Sequence, residues 1–202
     1  MTLSAWLSLV GICLLGALSP GPSLALVLRH TVRGSRRQGM IAAISHGLGV
    51  GFYAWLVVAG LGSLFREFPW LHQLLAWSGA AFLAWLGLKA LLSKGQQFEA
   101  QPIPTQSTHT AWRDGFLIAF LNPKLAIFFV ALFSQFITPE LSWSSKLLMA
   151  STAWLIDTGW YLLVALALSH SRLLPWLRQH ALWIDRGVGV ALLLIALRVL
   201  TL

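Results

Sequence analysis

The sequence predicts an all-α, polytopic membrane protein of six transmembrane helices, arranged as an inverted 3+3 repeat with helices 1 and 4 broken. Three observations carry that expectation: an apolar composition, six apolar runs of spanning length, and a proline-interrupted segment opening each half. The 202 residues include only 14 Lys+Arg and 6 Asp+Glu, while 57% are hydrophobic, and the mean hydropathy is +0.75. An ordinary soluble domain is about 25% charged, and a soluble fold of this size could not hide so much apolar surface. A cytosolic enzyme, a disordered regulator and a DNA-binding module are thereby excluded. The net charge of +8 does not argue for nucleic acid, because the basic residues lie in short gaps between apolar runs rather than on one face. Cys13, the single cysteine, can form neither an internal disulfide nor a CxxC pair and reads as a small buried hydrophobe.

The apolar runs fall at about 4–28, 40–65, 70–92, 115–137, 147–168 and 182–202. A helix needs about 20 residues to cross the hydrocarbon, and each run supplies them. The first run has no basic leader and continues past Ala17-Leu18-Ser19, the only plausible cleavage triplet, so it reads as a span and not as a removable signal peptide. The last is interrupted by Asp185 and Arg186 near its start and by Arg198 near its end. Gly95, Pro102 and Pro104 mark 93–112 as a flexible loop between a first repeat, 1–92, and a second, 113–202. Together they make one transport domain, 1–202.

Basic residues set the orientation. Arg29, Arg33, Arg36, Arg37, Lys89, Lys94, Arg113, Arg172, Arg178 and Arg186 lie in alternate gaps, against only Arg66, Lys146 and Arg198 on the other side. The positive-inside rule puts the richer side in the cytoplasm and both termini outside it. Three spans per half then run the second half upside down, the geometry of an inverted repeat and a common architecture of secondary transporters.

Each half opens on a break, Ser19-Pro20-Gly21-Pro22 in the first and Asn122-Pro123-Lys124 in the second. Proline removes a backbone donor and clashes with the preceding turn, and in lipid the freed groups must face protein or water. The alternative is an ordinary kink, which membrane helices tolerate. Pro20 lies 9 residues from Arg29, and Asn122 lies 9 residues from Arg113. At 1.5 Å per residue both breaks sit roughly 13 Å from the cytoplasmic edge, near mid-depth. His46, 9 residues from Arg37, and Asp157, 11 residues from Lys146, fall in the same slab. Charges there are costly, so Lys124 and Asp157 are expected to face each other or a shared cavity. A buried structural pair is the competing reading. His46, beside Gly47, Gly49 and Gly51, is either a packing histidine or, with Asp157, a proton-coupling candidate.

In their spacing these motifs resemble the LysE/RhtB family of amino-acid exporters. The matching stretches are Ser19-Pro20-Gly21-Pro22, the Gly34, Gly39, Gly47 and Gly51 ladder, Asp114-Gly115-Phe116, and Asn122-Pro123-Lys124 followed by Phe128-Phe129, Phe133 and Gln135-Phe136. Arg186-Gly187 fits more loosely. The resemblance implies an inner-membrane secondary transporter exporting amino acids or related small metabolites, driven by protons, and it allows a homodimer. It names a substrate class and no single substrate.

The residues alone point the same way less sharply. A helix N-terminus with free N–H groups suits a carboxylate, Lys124 could add to it, and Asp157 or free carbonyls could hold an ammonium or a proton. No nucleotide-binding signature and no cofactor motif is present, so pumping would draw on an ion gradient. The alternatives are a metal-cation exporter, disfavoured by six scattered histidines, and a membrane-embedded enzyme, disfavoured because Asp157 is read as the only carboxylate at membrane depth.

Overall fold

The computed structural model describes residues 1–19, 21–93, 107–138, 140–167 and 173–200. Pro20, named above in the first break, lies outside the described residues, as does most of the 93–112 loop. The elements of the described residues are all helical: α1 (Leu3–Leu18), α2 (Pro22–Arg29), a π-helical turn (His30–Gly34), α3 (Arg36–Glu67), α4 (Pro69–Leu91), α5 (Thr108–Phe120), α6 (Pro123–Phe133), α7 (Trp143–Ala167) and α8 (Leu173–Leu200).

Local chemistry explains the boundaries. Thr2, Ser35, Ser107 and Asn122 each place a side-chain oxygen on an amide of the helix that follows, the usual way to satisfy the donors of a first turn. Pro22, Pro69 and Pro123 occupy first helical positions, where the missing N–H removes no bond. Phe68 is the only residue between α3 and α4, so the link between them is a single-residue corner.

Three helices, α3, α4 and α7, are long and apolar enough to cross a membrane alone. The pairs α1 with α2 and α5 with α6 qualify as bent spans, turning by 59° and 51° at their breaks. The described residues thus give three to five candidate spans. The sixth expected span corresponds to α8, which forms a helix but is interrupted by Asp185, Arg186 and Arg198 and is not among the candidates.

Packing joins the two halves. α3 lies against α5 and α7, α4 against α8 and α6, and α1 against α7 and α8. Gly87 and Gly189 mark the α4–α8 crossing, where a Cβ on either would come within 2.8 Å of the other's carbonyl oxygen. Gly115 seats α5 on Ala42 and Ser45 of α3, and Gly49 takes the Ala119 methyl. Small residues are what let helix backbones approach closely in a membrane. The densest part of the core collects at one end of the bundle, where Leu9, Ile12, Phe65, Leu132, Phe133, Ile137 and Met149 are each at most 2% exposed.

Candidate functional site

Opposite that dense end, the bundle opens into a cavity of about 970 Å³. It reaches from the last turn of α4 (Lys89 to Ser93) inward to Cys13, Ala153 and Asp157, and both breaks line it. Ser19, Gly21, Pro22 and Ser23 contribute the first break; Asn122, Pro123 and Lys124 contribute the second.

The breaks differ in how their backbone groups are satisfied. At the second, Asn122 Oδ1 accepts from the Lys124 amide at 3.0 Å, and the Asn122 carbonyl accepts from the amides of Leu125 and Ala126 at 3.1 and 3.2 Å. Tyr53 donates its hydroxyl to the Phe120 carbonyl at 2.7 Å, the carbonyl that a continuous helix would have bonded to the Lys124 amide. The expectation that the start of α6 offers free N–H groups is therefore corrected, since Asn122 occupies them. What α6 brings to the cavity is the Lys124 side chain. At the first break α2 begins at extended Gly21 with no side-chain cap.

Asp157 lines the cavity from α7 and is 9% exposed. Its partner is His46 on α3, whose Nδ1 lies 2.9 Å from Asp157 Oδ2. With the carboxylate accepting, Nδ1–H donates. The His46 ring meets Tyr161 edge-on at 4.9 Å, and Tyr161 lines the cavity together with Ser23 of α2. His46 Nε2 is buried with no hydrogen-bond partner among the described residues. Lys124 and Asp157 do share one cavity, as the depth argument required, but no ion pair joins them among the described residues; His46 stands in the place the sequence reading gave to Lys124.

Two carboxylates were not among the candidate site residues of the sequence reading. Asp185, treated there as an intruder at the start of the last span, lines the same cavity and accepts a 2.7 Å hydrogen bond from Ser93 Oγ. Asp157 is thus not the only carboxylate in the site. An acidic residue inside an apolar run was the available signal. The other group is Asp114, which gathers Arg29 at 3.1 Å, His30 at 3.4 Å and Arg113 at 3.3 Å. That cluster ties the end of α2 to α5. It also brings Arg29 and Arg113, the two markers of depth, to one level.

With the geometry in view, the chain can be set beside known proteins. The family model described as "LysE type translocator" matches residues 14–202. The chain belongs to this family. Among its relatives, the threonine efflux protein of Escherichia coli (strain K12) is 24% identical over 191 residues, 93% of each chain. The homoserine/homoserine lactone efflux protein of Salmonella typhi is 33% identical over 144 residues, 69% of this chain and 68% of that one. An uncharacterized membrane protein of Vibrio cholerae is 28% identical over 158 residues, 78% of this chain and 77% of its own. No solved structure matches the chain. Family membership and the apolar helices together make it a multi-pass membrane protein.

Proposed function

We propose that the protein exports small amino acids or their close relatives from the cytoplasm across the inner membrane, driven by the proton gradient. The observation that carries the reading is the cavity itself: two broken helices and side chains of both charge signs meet in one space that is open at one end and sealed by packed aromatics and aliphatics at the other. A zwitterion requires both signs at short range, and burial away from bulk water strengthens each contact. The efflux functions named for the threonine and homoserine relatives agree with such a cargo.

In this reading the open end faces the cytoplasm, both termini lie outside, and the molecule is an inward-open secondary transporter. The inverted repeat is supported by register. The helix caps Gly21 and Asn122 at the two breaks are 101 residues apart, and Gly87 and Gly189, the pair that meets face to face between α4 and α8, are 102 apart. The helix pairings also exchange in kind: α3 with α5 answers α7 with α1, and α3 with α6 answers α7 with α2. Such a molecule changes access by rocking one half against the other. Asp157 and His46 are the groups proposed to carry the proton, because they are the hydrogen-bonded acid–base pair at the closed end of the cavity. A homodimer is compatible with this scheme and is not required by it.

The test loads membrane vesicles with a panel of labelled amino acids and, in parallel, Cd²⁺, and compares efflux with and without the protein. Threonine or homoserine efflux that depends on the protein and is abolished by a protonophore is expected. Efflux of Cd²⁺ alone would replace this reading with that of a metal-cation exporter.

A further inference from the structure

The cavity contains a carboxylate that neither break nor the proton-coupling pair uses. Asp185 lies well inside α8, is 4% exposed, and has the Ser93 hydroxyl as its hydrogen-bond donor. An ionised carboxylate withdrawn from water needs a cation as well as a hydroxyl to be satisfied. No ion pair forms at Asp185 among the described residues, although Lys124 lines the same cavity. Asp157, by contrast, already has His46 at 2.9 Å. Lys89, 5.1 Å from the Trp85 ring centroid, adds a second cation to the wall.

The cavity therefore holds one carboxylate bonded to a histidine and one, Asp185, bonded to a hydroxyl, with the Lys124 side chain in the same lining. Opposite charges that line one cavity without an ion pair between them can receive a molecule carrying both signs. The ammonium group offers three donors and no acceptor, which suits Asp185; the carboxylate of the same molecule suits a lysine. We propose that Asp185, positioned by Ser93, binds the α-ammonium of the exported amino acid while Lys124 binds its α-carboxylate. The inference rests on the export reading and adds to it the recognition of the cargo's two charges. The cargo's side chain is left toward Phe82, Trp85 and Phe128, which suits small uncharged side chains.

Threonine exchange in proteoliposomes tests it, comparing wild type with Asp185→Asn, Asp185→Glu, Ser93→Ala and Lys124→Gln at matched protein content. Asp185→Asn and Lys124→Gln should each raise the half-saturating threonine concentration by about tenfold or more, the loss of one charge-assisted contact. Asp185→Glu should recover part of the loss. Ser93→Ala should raise the half-saturating concentration with the maximal rate unchanged, and it keeps the carboxylate, so it carries the test if Asp185→Asn fails to accumulate. N-acetylthreonine, which has no ammonium, should not compete with threonine in the wild type. Wild-type half-saturation in Asp185→Asn, or in Ser93→Ala where that variant stands in, overturns the assignment of Asp185 alone. Equal competition by N-acetylthreonine does the same. A wild-type protein that exchanges no amino acid overturns the export reading and this inference together.

Discussion

Two breaks interrupt the bundle, and they are finished differently. At the second, Asn122 takes up the amides of Lys124, Leu125 and Ala126, and Tyr53 takes up the Phe120 carbonyl. At the first, α2 starts at Gly21-Pro22 without a side-chain cap, and its polar residues Ser19 and Ser23 line the cavity. The two motifs look alike in sequence because proline breaks a helix wherever it falls. What differs is the residue at the cap: both cap carbonyls accept a first-turn amide, from Ala25 and Ala126, but asparagine adds a side-chain acceptor for one more amide, which glycine cannot. A capped start is a rigid platform, and it presents Lys124. An uncapped start keeps hydrogen-bonding capacity available to cargo or to motion. Both breaks share the cavity with the groups around them: Tyr161, which packs on His46, and the carboxylates Asp157 and Asp185.

That contrast can be broken or sharpened by substitution, starting where the effect is largest. Asp157→Asn keeps the size of the side chain and removes its proton chemistry. It should abolish gradient-driven export while threonine exchange down a concentration gradient continues, as measured in proteoliposomes with and without an imposed pH difference. Full driven export by this variant would remove Asp157 from the coupling scheme. If the residue were only structural, the yield of folded protein would fall and exchange would fall with it, because His46 would lose the carboxylate it is bonded to.

Next in size is the first break. Pro20→Ala should lower export severalfold while membrane insertion and thermal stability hold or improve, since a restored helix can recover up to ~3 kcal/mol. Unchanged export would return the motif to an ordinary kink. The second break should respond in the opposite sense. Asn122→Ala removes the cap and should cost about 1 kcal/mol of stability, read as a lower unfolding midpoint in detergent. Smaller still, Tyr53→Phe strands the Phe120 carbonyl and should cost about 0.5–1.5 kcal/mol with exchange kinetics near wild type. Should Tyr53→Phe stop transport at normal stability, the second break would be a moving part rather than a platform.

How much of this was legible beforehand follows from what each feature depends on. Helix existence was legible, because runs of spanning length and prolines at 20, 22 and 123 act locally. The positions of both bends were legible for the same reason. The shared cavity of Lys124 and Asp157 came from counting residues from charged edges, which works because helix rise is fixed. Partner choice was not legible. Whether Asp157 meets Lys124 or His46 depends on the rotation of α3 against α7, which is set by close contacts such as that of Gly47 with Thr158. Asp185 was discounted because depth alone says that a charge near a span end is tolerable, and it says nothing of which wall the side chain joins. The capping role of Asn122 was within reach, as asparagine before proline at a helix start is a familiar signal, but the sequence put Asn122 among the substrate-binding or gating candidates.

The central claim is that cargo occupies the cavity between the two breaks. Ser19 lines that cavity, and the one native thiol, Cys13, can be removed by Cys13→Ala. In that background a Ser19→Cys variant can be labelled with a small, charged methanethiosulfonate reagent in inverted vesicles, which expose the cytoplasmic face. The account predicts that the reagent reaches position 19 from that face and that threonine, but not N-acetylthreonine, slows its reaction in proportion to occupancy. A labelling rate indifferent to threonine, in a variant that still exchanges it, would place the cargo elsewhere and contradict the account.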